Sequence, residues 1–264
     1  MSQSKVLNTD QIRKFALIGY PLSHSFSKKY FQHKFLVEGI EDAVYELLPI
    51  EDLTEFPAML VRYPKLRGLN VTIPHKQAII PFLDRLDPIT KAIGAVNTIR
   101  VEDDGSLSGF NTDAFGFEQS LRELLPDNWQ SGALVLGTGG ASKAICWVLE
   151  KLEIPVLKVS RTPNSGQIGY LEISKVLLDK HSLIVNTSPL GTFPDVAACP
   201  NIPYNLLGPN HYLYDLVYNP EETTFMRLGA AQGATVQNGQ QMLNLQAQKS
   251  WEIWNLEKEI PGSN

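Results

Sequence analysis

The sequence is poor in cysteine, in positive charge and in long apolar runs, and each shortage removes a class of explanation. Only two cysteines occur in 264 residues, Cys146 and Cys199. They are too few and too far apart for a disulfide framework, so a reducing cytoplasm is the expected setting. Cys146 sits in the apolar run 144–149, which reads as the buried face of a helix. The cysteines and the five histidines show no metal-ligand spacing, so no metal is expected. The formal net charge is −5. Nothing therefore points to nucleic acid or an anionic membrane, and an anionic ligand needs local positive groups. No stretch approaches the ~18 apolar residues of a membrane span, and the first ten residues are polar, without the apolar centre of a secretory signal. What is present, 43% hydrophobic and 19% charged residues, is enough for a real core, and the length allows two domains at roughly 100–200 residues each.

The chain reads as alternating strands and helices. Residues 15–19 form a short apolar run stopped by Gly19 and Pro21, hence a buried strand entering a loop. Residues 27–37 have helical spacing, 44–48 read as a strand, 50–62 as a helix, 68–73 as a strand ended by Pro74, and 76–86 as a helix. Residues 95–101 and 107–110 flank Asp103-Asp104-Gly105, a hairpin signal. Beyond Asn111 the texture changes: strand 133–136 runs straight into a glycine cluster and then a helix at 143–152. Further strands are expected at 156–160, 183–186 and 212–217, and one amphipathic helix at 240–256. Strands alternating with helices indicate a parallel sheet. The fold class is α/β in two units, and the last helix is free to pack on either.

The glycine cluster is the clearest binding signal. A strand that enters Gly137-Thr138-Gly139-Gly140-Ala141-Ser142 and opens a helix offers free N–H groups and a positive dipole end to a pyrophosphate. Ser142 stands where a third glycine is usual, and its small side chain still permits close packing. An enzyme that takes NAD places an acid about 20 residues later for the ribose 2′-hydroxyl. Here Ser160-Arg161-Thr162 occupy that turn, with no acid before Glu172. A guanidinium pairs with a 2′-phosphate, so NADP is the expected cofactor.

Four polar clusters lie at expected strand ends and at the domain junction: 23–27, 70–76, 94–98 and 109–116. Together they collect hydroxyls, amides, one amine and one carboxylate, which suit a small acid bearing hydroxyl groups. Turn chemistry alone would account for any one of them, and poorly for all four. Their order, Gly19-x-Pro21-Leu22-x-His24-Ser25-x-Ser27, Asn70-Val71-Thr72-x-Pro74-x-Lys76, Gly94-Ala95-Val96-Asn97-Thr98 and Asn111-Thr112-Asp113-x-x-Gly116, resembles the shikimate dehydrogenase family. Three later segments agree: 137–142, Tyr214-Asp215-x-x-Tyr218-x-Pro220-x-x-Thr223, and Asn238-Gly239-x-x-Met242-Leu243-x-x-Gln246-Ala247. The resemblance spans residues 15–255.

The resemblance implies a substrate-binding domain of residues 1–111 and 240–264, a Rossmann-type NADP-binding domain of residues 112–239, and a C-terminal helix that returns to the first domain, leaving the site in the cleft. It implies reversible NADPH-dependent reduction of 3-dehydroshikimate to shikimate, on the route to chorismate and the aromatic amino acids. Carried over by position, Ser25 and Ser27 bind the substrate carboxylate. Thr72, Asn97, Asp113 and Gln246 hold ring hydroxyls, and Tyr218 lines the site. Lys76 and Asp113 form the catalytic pair, while Leu216 and Gly239 lie near the nicotinamide. Two departures stand out. Ser160 replaces an asparagine and Ser165 a second arginine of the family's cofactor turn, and residues 163–169 read as loop where a helix usually begins. His75, in a position often aromatic, reads as filler, and Leu216 replaces a common methionine. Alternatives are an NAD-using quinate/shikimate dehydrogenase, a non-catalytic shikimate-sensing paralogue and a folate-linked dehydrogenase of similar architecture. The pair Lys76 and Asp113 speaks against a sensor, and the serine cluster against a folate enzyme. Monomer and homodimer are both compatible with the sequence.

Overall fold

The apolar run at 15–18 carries no polar alternation because both of its sides are buried. In the computed structural model, which describes residues 12–22 and 25–256, this run lies in strand β1 (Arg13–Gly19). Successive side chains of a strand point to opposite faces. Accordingly Ala16 and Ile18 join one apolar cluster, and Phe15 and Leu17 another. The chain divides into two compact units, Met1–Thr112 with Ala247–Asn264, and Asp113–Gln246.

In the first unit, β1 is followed by helix α1 (Phe26–Val37), strand β2 (Ala43–Pro49), helix α2 (Phe56–Arg62), strands β3 (Leu66–Val71) and β4 (Arg85–Leu86), helix α3 (Pro88–Ile93), and the hairpin of β5 (Thr98–Val101) and β6 (Leu107–Phe110). They make one six-stranded sheet in the order β2-β1-β3-β5-β6-β4. Strand β1 is parallel to β2 and β3, whereas β3–β5 and β5–β6 are antiparallel. Two expected helices fall short. The one at 50–62 starts only at Phe56, because Asp52 accepts the Thr54 N–H and sets a separate 3₁₀ turn first. The one at 76–86 is absent apart from a 3₁₀ turn at Ile80–Phe82. Pro81 has no N–H to give a helix, and the carbonyl of Lys76 is taken at 2.7 Å by the N–H of Val96 instead.

The second unit holds α4 (Thr112–Leu124, starting one residue upstream), β7 (Ala133–Leu136), α5 (Gly140–Lys151), β8 (Val156–Ser160), β9 (Gln167–Gly169), α6 (Lys175–Lys180), β10 (Leu183–Asn186), β11 (Tyr212–Asp215), α7 (Thr224–Ala230) and β12 (Thr235–Gln237). Its sheet order is β12-β11-β10-β7-β8-β9, with every pair parallel. Counted within the unit, this is the doubly wound order 3-2-1-4-5-6, whose switch point lies between β7 and β10 and opens a crevice at the strands' C-terminal ends. Residues 161–166 join β8 to β9 with no helix, as expected from Pro163 and Gly166, but the last three residues of the loop expected at 163–169 form the edge strand β9 instead. The final helix, α8 (Gln240–Asn255), contributes its second half to the first unit. Trp254 stacks on Phe15 at 4.9 Å and donates its indole N–H to the Ile99 carbonyl at 2.9 Å.

One carboxylate is buried at the end of β11. Asp215 Oδ1 accepts from Asn186 Nδ2 at 2.9 Å and from the Val217 N–H at 3.0 Å, while Oδ2 accepts from the Thr223 hydroxyl at 2.7 Å. Burial pushes its pKa up to about 6, and the three donors only partly oppose that shift. The folded chain therefore holds this proton more tightly than the unfolded chain. Stability attached to Asp215 is complete below the unfolded value near ~3.9 and declines as pH rises toward 6. The Asp215→Asn variant keeps an acceptor for two donors, and its amide N–H can meet the Thr223 oxygen. We expect this variant to lose the pH slope between about 4 and 6 and to gain up to about 3 kcal/mol relative to wild type above that window. Urea unfolding across pH 4–8 checks this, and parallel curves for the two proteins would contradict it.

Candidate active site

At the start of α1, Ser25 occupies the position before the first helical residue, where serine usually caps. Its side chain makes no capping bond. The hydroxyl oxygen is buried and has no hydrogen-bond partner among the described residues. No acidic side chain occupies the first turn of α1, so the helix's positive end is left for an anion. Ser27, half-buried in that same turn, lies beside Tyr45 of β2. Ser23 and His24 lie outside the described residues.

From Tyr45 a buried polar network continues through the unit. Tyr45 is 3% exposed, is stacked on Phe31 at 4.4 Å, and donates its hydroxyl to Asn70 Oδ1 at 2.8 Å. Burial pushes the phenol well above its ordinary range, so it stays protonated. Asn70 Nδ2 reaches the Asn97 carbonyl at 3.2 Å, Thr98 Oγ1 at 3.2 Å and Ser250 Oγ on α8 at 3.0 Å. Asn97 in turn accepts the N–H of Thr112 at 2.7 Å and donates Nδ2 to the Thr112 hydroxyl at 3.0 Å. This amide thereby satisfies one of the open N–H groups at the start of α4.

The loop after β3 is tied to the same place. The Val71 N–H meets the Asn97 carbonyl at 2.9 Å, the Thr72 N–H meets Ile18 O at 2.9 Å, and the Lys76 carbonyl receives the Val96 N–H. Thr72 and Lys76 are half-buried. His75 is 4% exposed, with Nε2 at 2.7 Å from the Ile50 carbonyl. It is an anchor for the loop that carries Lys76 rather than filler, and its bond to a carbonyl assigns the Nε2–H tautomer.

In the second unit, Asp113 is 1% exposed in the first turn of α4. Gly116, three residues later, has no room for a side chain. A Cβ there would lie 2.5 Å from the Met242 carbonyl and 3.2 Å from the Gln246 N–H. The backbones of α4 and α8 thus meet at Gly116, which brings half-buried Gln246 to the start of α4.

The glycine loop has the geometry of an anion cradle. Gly137 adopts φ +114°, closed to other residues, and a Cβ would sit 2.8 Å from the Thr187 hydroxyl at the end of β10. Gly139 is the N-cap of α5, and no atom lies within 4 Å above it. Ser142 is buried and returns its hydroxyl to the Gly137 carbonyl at 2.8 Å. Thr138 and Gly139 are exposed, while Gly140 and Ala141 are half-buried at the helix start. These residues fit a dinucleotide's pyrophosphate. At the specificity turn, Ser160 is buried and accepts the Thr162 N–H at 3.2 Å, so it shapes the turn, while Arg161 and Thr162 are exposed. Glu172 accepts the Gly169 N–H at 2.6 Å. Leu216 donates its N–H to the Asn186 carbonyl at 3.0 Å, the Gly239 N–H meets the Val217 carbonyl at 3.0 Å, and half-buried Tyr218 comes directly after.

Sequence reasoning assigns no role to Tyr45, Asn70, Thr98, Thr112 or Ser250, nor to Asn186, Asp215 and Thr223. Asn70, Thr98 and Thr112 sit inside the polar motifs, so adjacency to Thr72, Asn97 and Asp113 is an available signal. Tyr45 and Ser250 give none, being one residue each in an ordinary strand and helix. Among the described residues no group of His, Cys, Asp or Glu is placed to hold a metal, and no helix is long and apolar enough to cross a membrane.

A model of the shikimate dehydrogenase substrate binding domain matches residues 17–99. The shikimate dehydrogenase (NADP(+)) of Staphylococcus aureus strain Newman is 35% identical over 252 residues, 91% of this chain and 92% of that protein. Among solved structures, shikimate dehydrogenase from Aquifex aeolicus aligns at TM-score 0.82 and 32% identity, covering 93% of each chain. Shikimate 5-dehydrogenase from Thermus thermophilus, solved in complex with NADP(H) and shikimate, aligns at 0.81 and 32% identity over 92% of this chain and 94% of that one. Likeness of this degree over the length of both chains reaches past architecture to descent, and the chain belongs to the shikimate dehydrogenase family.

Proposed function

We infer that the chain is an NADP-dependent shikimate dehydrogenase, catalysing the reversible reduction of 3-dehydroshikimate to shikimate on the route to chorismate and the aromatic amino acids. Besides its kinship, the observation that carries this reading is Ser25. A buried hydroxyl at a helix start, unused by the fold, is a donor in want of an anion such as the substrate carboxylate. The free thiols of Cys146 and Cys199 fit a reducing cytoplasm. We assign substrate binding to residues 1–111 and 240–264, and dinucleotide binding to residues 112–239.

In this reading Ser25 and Ser27 hold the carboxylate, and Thr72, Asn97, Asp113 and Gln246 hold the ring hydroxyls beside Tyr218. The loop Gly137, Thr138, Gly139, Gly140, Ala141 and Ser142 takes the pyrophosphate. Arg161, on a turn shaped by Ser160, takes the 2′-phosphate with Thr162, and Leu216 and Gly239 face the nicotinamide. The nicotinamide, when bound, supplies or accepts the hydride. Lys76 does the protein's share of the chemistry: its ammonium gives a proton to the oxygen on which negative charge develops. In the reverse direction its amine takes the hydroxyl proton back. The Asp113 carboxylate orients the reacting hydroxyl. A positioned acid–base group of this kind contributes roughly 10²–10⁴-fold.

The decisive assay is NADP reduction with shikimate, compared with quinate and with no substrate. Shikimate is expected to be the strongly preferred substrate, and silence with both acids would end the enzymatic reading. For Lys76→Ala, turnover should fall by roughly 10²–10⁴-fold while the KM for NADP stays close to wild type. Unchanged turnover would remove Lys76 from the mechanism. Arg161→Ala should raise the KM for NADP by roughly 10-fold and leave that for NAD nearly untouched, as expected for one exposed charge-assisted contact. An equal change for both cofactors would refute its assignment to the 2′-phosphate.

A further inference from the structure

The polar network of the first unit has a direction, and two atoms without choice set it. The carbonyl oxygen of Asn97 can only accept, so the Asn70 amide must turn its nitrogen toward it. The Asn70 oxygen then faces Tyr45, whose single proton is committed to it at 2.8 Å. At the other end, the N–H of Thr112 can only donate, so the Asn97 side-chain oxygen must face it, which turns the amide nitrogen the other way. Ser250 closes the circuit: its hydroxyl receives from Asn70 at 3.0 Å and lies 2.8 Å from Thr98 Oγ1, which is 3.2 Å from the Asn97 side-chain oxygen. Thr112 Oγ1 is also 3.2 Å from Ser250. The protons so fixed run from Tyr45 to Asn70, and from Asn70 to the Asn97 carbonyl and to Ser250.

Resting on the shikimate dehydrogenase reading, we propose that Tyr45 and Ser250 are positioning residues for substrate recognition, acting through Asn70 and Thr98 on the Asn97 amide. Neither touches the substrate. Tyr45 is 3% exposed and Ser250 is fully buried. What they supply is restraint: Asn70 holds the Asn97 carbonyl at 3.2 Å, and Thr98, which Ser250 meets at 2.8 Å, lies 3.2 Å from the Asn97 side-chain oxygen, so Asn97 meets the ligand already oriented. A network in which every member is satisfied rigidifies its surroundings, and one with a member missing loses that single arrangement.

Tyr45→Phe and Ser250→Ala each remove one hydroxyl without adding bulk. Each should raise the KM for shikimate by roughly 3- to 10-fold, the range of one or two net hydrogen bonds, with the KM for NADP unchanged. Urea unfolding of both single variants and the double variant provides a second readout. Tyr45 and Ser250 have no direct bond and share Asn70, so their effects on stability should be non-additive. An unchanged KM for shikimate, or equal changes in both KM values, would overturn the positioning role, and strict additivity would overturn the network itself. Were the wild type silent with shikimate and NADP, the functional reading would fail, while the unfolding cycle would still decide whether the network exists.

Discussion

The hydrogen bond from the Thr112 N–H to the Asn97 side-chain oxygen, at 2.7 Å, is the interaction on which the polar half of the substrate unit depends. A helix start leaves N–H groups that must be met, and α4 begins here with a buried aspartate in its first turn. Using an asparagine from the start of β5 as the acceptor has two consequences. It satisfies that N–H, and it fixes which way the Asn97 amide points. The loop bearing Lys76 is joined to the same strand start through the Val96 N–H. One local requirement of helix geometry thereby bears on the Asn97 amide and on the strand start to which the Lys76 loop is tied.

The second unit solves a parallel problem with a charge. Asn186 and Asp215 end neighbouring strands, and their mutual bond organises the loop after each strand. Ser188 N–H and hydroxyl both go to Asn186 Oδ1, the latter at 2.6 Å, while the Val217 N–H and the Thr223 hydroxyl go to Asp215. Burial raises the carboxyl's pKa, and that is the energetic cost of shaping the Leu216–Tyr218 segment from inside. The cofactor turn is leaner. A single exposed arginine is presented by a turn that Ser160 folds, and β8 passes to β9 without a helix.

Much of this is legible in the chain without coordinates. Turn residues at strand ends mark the motif positions, because Ser, Asn and Asp at such places must either finish a turn or bind something. The strand–glycine–helix run at 133–151 marks the site proposed for the nucleotide, and the loop after Arg161 is visible in Pro163 and Gly166. The helix expected at 76–86 fails because apolar spacing there is outweighed by Pro81 and by a competing donor, Val96, that lies far along the chain. Tyr45 and Ser250 are invisible for the same reason: their partners are distant in sequence, and a lone hydroxyl in a strand or helix is compositionally ordinary. His75 reads as filler in the sequence because its partner, Ile50 O, belongs to another loop.

The central claim is that the first unit presents a ready-made, oriented set of polar atoms to a hydroxylated carboxylic acid. A crystal structure with shikimate bound tests it most directly. The account predicts the carboxylate within hydrogen-bonding distance of the Ser25 and Ser27 hydroxyls, with the bonds among Tyr45, Asn70, Asn97, Thr112 and Ser250 unchanged. A Ser25 hydroxyl turned to cap α1, with the acid group held elsewhere, would contradict it.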